Sequence, residues 1–268
     1  MLDLAKFRAA ERATGGFDTS VWRLERNGRR YALRVFRPNQ RAVLERELLA
    51  LRAARAAGLP VPRVYAAGTY AQQPALLQEW CPGSTLLEEL RARPARALAL
   101  GHAFGRLHRQ LHHVPAPHGL RTSWIDWAGP LERGLRARLQ RLSEAGPMRL
   151  LHLDWHPLNV LFEAGRPSAI LDWVNAHGGD PRADVARTLT LLRLAPPLGG
   201  ARVRVLRRLL ELGWRAGYGS LGPDLAPFYA WAGAAMQHDL AGRFSAADLA
   251  HVARWTATWL RRSRLDAA

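Results

Sequence analysis

One stretch, residues 150–173, constrains the fold of this chain more than any other part of it. The stretch reads LLHLDWHPLNVLFEAGRPSAILDW and contains two short apolar runs, one on each side of a turn at Gly165 and Pro167. Apolar runs of this length that flank a glycine-containing turn predict a β-hairpin. The hairpin would place Asp172, which follows the second run, beside Asn159, which precedes the first.

The polar residues around this hairpin have the chemistry of a cation site next to a base. Oxygens such as those of Asp172 and Asn159 are the ligands that Mg²⁺ prefers. Asp154 lies one short loop away and could accept a proton from a hydroxyl group. His152, Asp154 and Asn159 follow the pattern H-x-D-x-x-x-x-N. A surface loop that carries these letters by coincidence is the alternative.

This pattern resembles the catalytic loop and metal-binding segment of the aminoglycoside phosphotransferase/choline kinase-like family, small-molecule kinases related to protein kinases. The resemblance implies that Asp154 is the catalytic base and that Asn159 and Asp172 hold Mg²⁺. Residues 178–186, GGDPRADVA, strengthen it, because they are similar to the family's G-D-P-x-x-D-L-A element. In that element the family uses the second aspartate, here Asp184, to brace the catalytic loop.

The loop departs from the family's pattern at two positions. Leu153 stands where glycine is common, and Trp155 stands next to the base. Both add bulk to the loop and are expected to restrict the acceptor. His152 is interpreted as a packing and hydrogen-bonding brace and not as a proton carrier.

The N-terminal part of the chain predicts a small sheet with one long helix. Asn27-Gly28 is a strong hairpin signal. Strands are predicted at residues 21–25, 31–36, 63–67 and 75–80, a long helix at residues 40–57, and a short amphipathic helix at residues 2–12.

Two charged residues in this part are candidates for the nucleotide site. Arg34 occupies the place where kinases keep a strand lysine that contacts the phosphates, so the resemblance implies that role. A solvent-facing strand arginine is the alternative. Glu47 lies at the edge of the apolar face of its helix, whereas Glu45 points further away. Glu47 is therefore the better partner for Arg34, and a structural or solvent-exposed glutamate is the alternative.

A glycine turn precedes the first predicted strand. Gly15, Gly16 and Phe17 form this turn, and such a turn lets backbone N–H groups approach phosphate oxygens closely. It is similar to the looser glycine loop of the phosphotransferase family, which implies contact with the phosphates of ATP. Glycine turns between strands are common, so a purely structural turn is the alternative.

The segment after the last predicted strand of this part, Cys81-Pro82-Gly83, resembles the family's linker between two lobes. The resemblance implies that the backbone carbonyl of Glu79 and the backbone N–H of Cys81 bind the adenine edge. Residues 1–82 are then a nucleotide-binding N-lobe, and residues 83–268 are a C-lobe with the catalytic loop, metal site and acceptor-binding helices. The predicted fold class is α+β, a two-lobed protein-kinase-like fold with a sheet-rich N-lobe and a mainly helical C-lobe.

Helical patterns dominate the C-terminal part. They lie at residues 84–91, 96–113, 131–143, 181–194, 203–214, 226–240 and 246–262. His108 and His112, spaced for one helix face, suggest a zinc site. No acidic or cysteine partner lies nearby in the sequence, so a packing or solvated pair is favoured. The family builds its acceptor pocket from the late helices, which implies that Trp231, Met236, His238 and Asp239 face the cleft.

Composition narrows the class of protein. The net charge of the chain is +17. The arginines that produce this charge are dispersed among the predicted helices and form no single basic block, which disfavours nucleic acid as a partner. The charge favours anionic ligands such as ATP. With a single cysteine, Cys81, no apolar signal core and no apolar run of membrane-spanning length, the chain is expected to be cytoplasmic and without membrane contact.

The function expected from these patterns is Mg²⁺-assisted transfer of the γ-phosphoryl group of ATP to a hydroxyl of a small molecule. A neutral, zwitterionic or anionic alcohol is as plausible an acceptor as an aminoglycoside. A catalytically inactive nucleotide-binding regulatory protein is one alternative, and an arginine-rich nucleic-acid-binding protein is another. The sequence says nothing of the oligomeric state.

Overall fold

A computed structural model describes residues 2–4, 6–13, 19–196 and 200–265. Its N-terminal part is a five-stranded antiparallel sheet in the order β1-β2-β3-β5-β4, with one helix against it. The elements are β1 (Arg8–Ala13), β2 (Ser20–Arg26), β3 (Arg29–Val35), α1 (Arg41–Ala56), β4 (Val64–Tyr70) and β5 (Gln73–Glu79). The predicted strands and the long helix are confirmed within a few residues at each end.

The helix predicted at residues 2–12 is wrong, because this segment contains β1. The strand pairs antiparallel with β2, with Glu11 opposite Arg23 and Arg12 opposite Trp22. Isolated short helices are marginal in water, so a sheet edge that accepts the backbone hydrogen bonds overrides an amphipathic pattern. The apolar residues that suggested a helix instead pack on a small core under the sheet, where Phe7 meets Tyr31 edge to face with ring centroids 5.1 Å apart.

Three short strands form a sheet next to the end of the N-terminal sheet: two of them make the predicted hairpin, and the third comes earlier in the chain. They are β6 (Ser84–Thr85), β8 (Val160–Glu163) and β9 (Arg166–Ile170), and they form a sheet in the order β6-β8-β9. A second small sheet pairs β7 (Arg149–Leu151) with β10 (His177–Gly179). Gly83 has φ of 100°, and a Cβ atom there would lie 2.4 Å from the carbonyl oxygen of Phe162. Only glycine permits this close approach.

The remainder is helical: α2 (Leu86–Ala92), α3 (Ala97–Leu111), α4 (Arg133–Ala145), α5 (Pro181–Leu194), α6 (Ala201–Tyr218), α7 (Leu225–Leu240) and α8 (Ala250–Leu265). The bounds of α5 are those predicted, since the Asp180 side chain caps it by accepting from the Arg182 N–H at 2.9 Å. One large apolar core joins α1 to these helices. Within the described part of the chain, no helix combines the length and apolar character needed to cross a bilayer.

Candidate active site

The predicted hairpin is present, and its register sets the spacing of the site. Val160 of β8 lies opposite Ile170 of β9, and the Leu171 N–H donates to the carbonyl oxygen of Asn159 at 2.8 Å. Asp172 follows directly, in the left-handed conformation with φ of 59° and with 39% of its side chain exposed. The hairpin therefore brings the backbone beside Asp172 against Asn159, as the sequence predicts.

Asn159 also holds Asp154. Its amide nitrogen donates to the backbone carbonyl of Asp154 at 3.0 Å and to the Oδ2 atom of the same residue at 3.1 Å. The Nε2 atom of His156 lies 3.4 Å from that Oδ2 atom. The loop thus fixes the direction of the Asp154 carboxylate from two sides.

These neighbours keep Asp154 ionised. Burial alone would raise its pKa, but His156, which lies closest, together with Arg187 and His152, lowers the pKa to about 2. In return, Asp154 raises the pKa of His156 against the opposing effect of burial. At neutral pH the loop therefore presents a carboxylate and not a carboxylic acid.

A buried aspartate on α5 supports the loop from behind. Asp184 is fully buried, and its Oδ2 and Oδ1 atoms accept from the backbone N–H groups of His152 at 2.6 Å and of Leu153 at 3.0 Å. The His152 ring contacts the Leu171 carbonyl oxygen through Nε2 at 2.9 Å, so it joins the loop to the hairpin. These contacts agree with the bracing role implied for Asp184 and with the interpretation of His152.

Leu153 shows why glycine is common at its position. Its φ is 60°, in the left-handed region that L-residues with side chains avoid, and its side chain is fully buried. Trp155 is also fully buried, stacked on Phe104 with ring centroids 5.3 Å apart. The bulk at these two positions therefore lies in the core behind the loop, and the expectation that it restricts the acceptor is wrong.

His108 and His112 have no acidic residue nearby in the sequence. In the folded chain, Asp184 lies next to both of them. Their Nε2 atoms lie 3.4 and 3.3 Å from its Oδ2 atom, and the His112 Nδ1 atom lies 2.7 Å from the Tyr218 hydroxyl. Burial lowers the pKa of His108 to about 3. His112 is hydrogen-bonded to Asp184 and Tyr218, whereas neither ring nitrogen of His108 has a hydrogen-bond partner among the described residues. The set is a buried polar cluster packed behind the loop, as the packing interpretation favours.

Arg34 is buried and joins the sheet to the hairpin. It forms ion pairs with the fully buried Glu47 and, at 2.8 Å, with Asp172. Burial opposes its charge, but these carboxylates raise the pKa of Arg34 above its ordinary value. The alternatives of a solvent-facing arginine and an exposed glutamate are wrong. The predicted pairing of Arg34 with Glu47 is present.

The segment implied to bind adenine lies at the end of β5. The Glu79 N–H donates to the Arg63 carbonyl oxygen at 2.8 Å, and a cavity of about 680 Å³ is lined by Glu79, Trp80 and Cys81 together with the β2–β3 turn. Burial raises the pKa of the Cys81 thiol to about 12. Their role in nucleotide binding stays a prediction. Gly15, Gly16 and Phe17 lie outside the described residues.

The late helices contribute less to the cleft than expected. Trp231 and Met236 are buried in the core, so their placement at the cleft is wrong. Asp239 forms an ion pair with Arg187 and accepts from the Trp127 Nε1 atom at 2.8 Å. Arg187 was not predicted from the sequence, and its position one helical turn after Asp184 was the available signal.

The chain resembles known proteins in sequence and in fold. The chain matches the model of a family described as the phosphotransferase enzyme family, over residues 9–146 and 131–228. Aminoglycoside phosphotransferase APH(4)-Ia is similar in structure, with 20% sequence identity and a TM-score of 0.68 over 96% of this chain and 95% of that chain. A mutant of it, in a ternary complex with ADP and hygromycin B, has 18% identity and a TM-score of 0.68 over the same shares, 96% and 95%.

A more distant structure has the same fold. A putative fructosamine-3-kinase from Haemophilus somnus 129PT has 11% identity and a TM-score of 0.61, over 95% of this chain and 92% of that chain. A search of curated proteins gave no match. The likeness to solved structures confirms the predicted two-lobed fold, and the family model spans most of the chain. The chain therefore belongs to the phosphotransferase enzyme family and is a small-molecule kinase.

Proposed function

We propose that this kinase transfers the γ-phosphoryl group of ATP to a hydroxyl of a small molecule, with Asp154 as the base. The observation that carries the proposal is the convergence of Asp154, Asn159 and Asp172 on one hairpin, held by backbone hydrogen bonds and by buried Asp184. Solved structures of similar proteins in complex with ADP or with AMP-PNP support the choice of nucleotide.

Asp154 orients the acceptor hydroxyl and receives its proton as the oxygen bonds to the γ-phosphorus and the bond to ADP breaks. A carboxylate with a pKa near 2 is a weak base. It therefore acts mainly by aligning the hydroxyl, and it takes the proton late, which suits a reaction that depends on positioning and charge neutralisation. His156 holds the carboxylate in place and keeps it ionised.

Asn159 and Asp172 fit a Mg²⁺ ion. The amide nitrogen of Asn159 is engaged with Asp154, which leaves the amide oxygen as the metal ligand, and the Asp172 carboxylate is partly exposed. Both are hard oxygen donors of the kind Mg²⁺ prefers. When bound, the ion would neutralise charge on the phosphate oxygens.

The N-lobe, residues 1–82, would hold the nucleotide. Arg34, positioned by Glu47, lies next to Asp172 and is the cation placed to contact phosphates. The backbone of residues 15–17 would cover the phosphates, and Glu79 and Cys81 would bind adenine through their backbone. The C-lobe, residues 83–268, would supply the catalytic loop, the metal site and helices that bind the acceptor.

The test is Asp154→Asn, assayed by ADP release with a panel of hydroxyl compounds and Mg·ATP. We expect turnover to fall by about 10²–10⁴-fold, the usual contribution of a positioned base, while binding of Mg·ATP stays close to that of the wild type. Asp248→Asn, which changes an exposed carboxylate before α8, is the matched control and should keep full turnover. Near-normal turnover in Asp154→Asn would refute this mechanism.

A further inference from the structure

The segment that follows Asp172, residues 174–178, is flanked by cations. The Arg46 Nε atom, from α1, donates to the Val174 carbonyl oxygen at 3.0 Å. The Gly178 N–H donates to the carbonyl oxygen of Arg121 at 2.8 Å. His177 lies between these two contacts. Arg46 therefore contacts this segment through its guanidinium group and Arg121 contacts it through its backbone, and the charges of both arginines act on His177.

The charges in this cluster repel one another. Burial lowers the pKa of Arg46, and the nearby charge of Arg121 lowers it further. Burial and both arginines lower the pKa of His177 to about 4. Like charges that lie close together raise the free energy of the folded state, and a bound anion reduces their repulsion. The cluster therefore has the electrostatics of an anion site.

An aromatic side chain connects this cluster to the base. The Trp127 ring is stacked with His177 at a centroid distance of 6.5 Å. On the same ring lies Arg187, with its Cζ atom 4.8 Å from the centroid, and the charge of Arg187 acts on the pKa of Asp154. The surface formed by Arg46, Arg121, His177 and Trp127, called here the cationic wall, thus leads to Arg187 and the catalytic loop.

Arg187 has hydrogen-bonding capacity to spare. Its side chain is only 4% exposed and pairs with Asp239 through Nη2. Its buried Nε and Nη1 atoms have no hydrogen-bond partner among the described residues. A buried donor without a partner is costly, so a group that brings an oxygen atom to it would be bound favourably. An oxygen-rich acceptor would supply the missing partner.

We infer that the hydroxyl acceptor of this kinase carries an oxyanion, a carboxylate or a phosphate, which binds the cationic wall while Arg187 contacts an oxygen closer to the reacting hydroxyl. The inference rests on the proposed function and concerns its acceptor. It separates this chain from kinases of polycationic acceptors, because a polycation would meet Arg46, Arg121 and Arg187.

A matched three-carbon series tests the inference. Glycerate and glycerol 3-phosphate are the two anionic probes, glycerol is the neutral one, and 3-amino-1,2-propanediol is the cationic one. Each is assayed by ADP release with Mg·ATP. Separately, each is tested for thermal stabilisation of the enzyme saturated with Mg²⁺ and a non-hydrolysable ATP analogue, which does not require turnover. At least one anionic probe should give about tenfold higher kcat/KM than glycerol, or stabilise when glycerol does not.

Variants assign the effect to the cationic wall. Arg46→Gln and Arg121→Gln should each raise KM for the anionic probe about tenfold and leave kcat nearly unchanged. Arg52→Gln removes the same charge from an exposed position on α1 and should change neither. The difference between glycerate and glycerol 3-phosphate identifies the anion.

Three outcomes would overturn the inference. They are a preference for the cationic probe, no stabilisation or turnover advantage for either anion over glycerol, and an equal effect of the wall variants on all probes. The proposed phosphotransfer would survive each of them if Asp154→Asn still abolished turnover. Turnover that is insensitive to Asp154→Asn would instead refute the proposed function.

Discussion

Replacing Leu153 by alanine and by glycine separates two contributions to the stability of the catalytic loop. Leu153 is fully buried, and its φ of 60° is unfavourable for any residue with a Cβ atom. Leu151, at the end of β7, is equally buried but lies in an ordinary strand. The same pair of substitutions at Leu151 therefore supplies the control.

The expected magnitudes follow from burial and backbone conformation. Alanine should cost about 2–5 kcal/mol at either position, because a buried leucine leaves a cavity. At Leu151, glycine should cost a further ~1.5 kcal/mol relative to alanine, for the lost methyl group and the added chain freedom. At Leu153 these losses are offset by about 1–2 kcal/mol, because glycine has no penalty in the left-handed region. The alanine and glycine variants of Leu153 should thus be nearly equal in stability.

Urea unfolding followed by tryptophan fluorescence measures the four free energies of unfolding. At each position, the free energy of unfolding of the glycine variant is subtracted from that of the alanine variant. This difference should be about 1–2 kcal/mol larger at Leu151 than at Leu153. If the change from alanine to glycine costs the same free energy at both positions, then the left-handed conformation of residue 153 is not strained. The explanation of why the family commonly has glycine at this position is then wrong.

Three further predictions concern buried titratable groups. Asp184→Asn should lower the free energy of unfolding by about 3–5 kcal/mol in urea, because it removes the charge that several buried donors share; a loss under about 1 kcal/mol would contradict the bracing role. Glu47→Gln should raise KM for ATP about tenfold, because it releases Arg34, the buried arginine that Glu47 orients. Glu45→Gln changes an exposed glutamate of the same helix and should leave KM unchanged. Equal KM values for the two variants would argue against the orientation of Arg34 by Glu47. Burial lowers the pKa of His108 to about 3 and that of His177 to about 4, so both rings are protonated in the unfolded chain before the folded one as pH falls. Each should therefore reduce the free energy of unfolding by up to about 1.4 kcal/mol per pH unit below pH ~6.5, and urea titrations that show constant stability from neutral pH to pH ~5 would contradict this.

Local patterns were sufficient to predict the hairpin and its polar residues. Gly165 supplies the turn, and the register of the apolar runs then fixes the position of Asp172 relative to Asn159. The limits of α5 were also predictable, because an aspartate cap and a proline at the first turn are local signals. These features depend on residues close together in the sequence.

Features that depend on distant partners could not be predicted. β1 exists because β2 offers it an edge, and no local pattern reports such an edge. The contact of His108 with Asp184 joins α3 to α5, and the contact of Trp127 with Asp239 joins a short 3-10 helix, Trp124–Ala128, to α7. One sequence without aligned relatives shows neither contact.

The three-stranded sheet β6-β8-β9 has a consequence for how this enzyme can evolve. It joins the chain just after Gly83 to the hairpin of β8 and β9 through pairs such as Ser84 with Phe162, and the Ile170 N–H donates to the Pro60 carbonyl oxygen at 2.7 Å. Because main-chain atoms make these links, most side-chain substitutions leave them intact. New acceptor specificities could therefore arise by substitutions around Trp127 without disturbing the nucleotide end of the cleft, which would let one scaffold diversify its substrates.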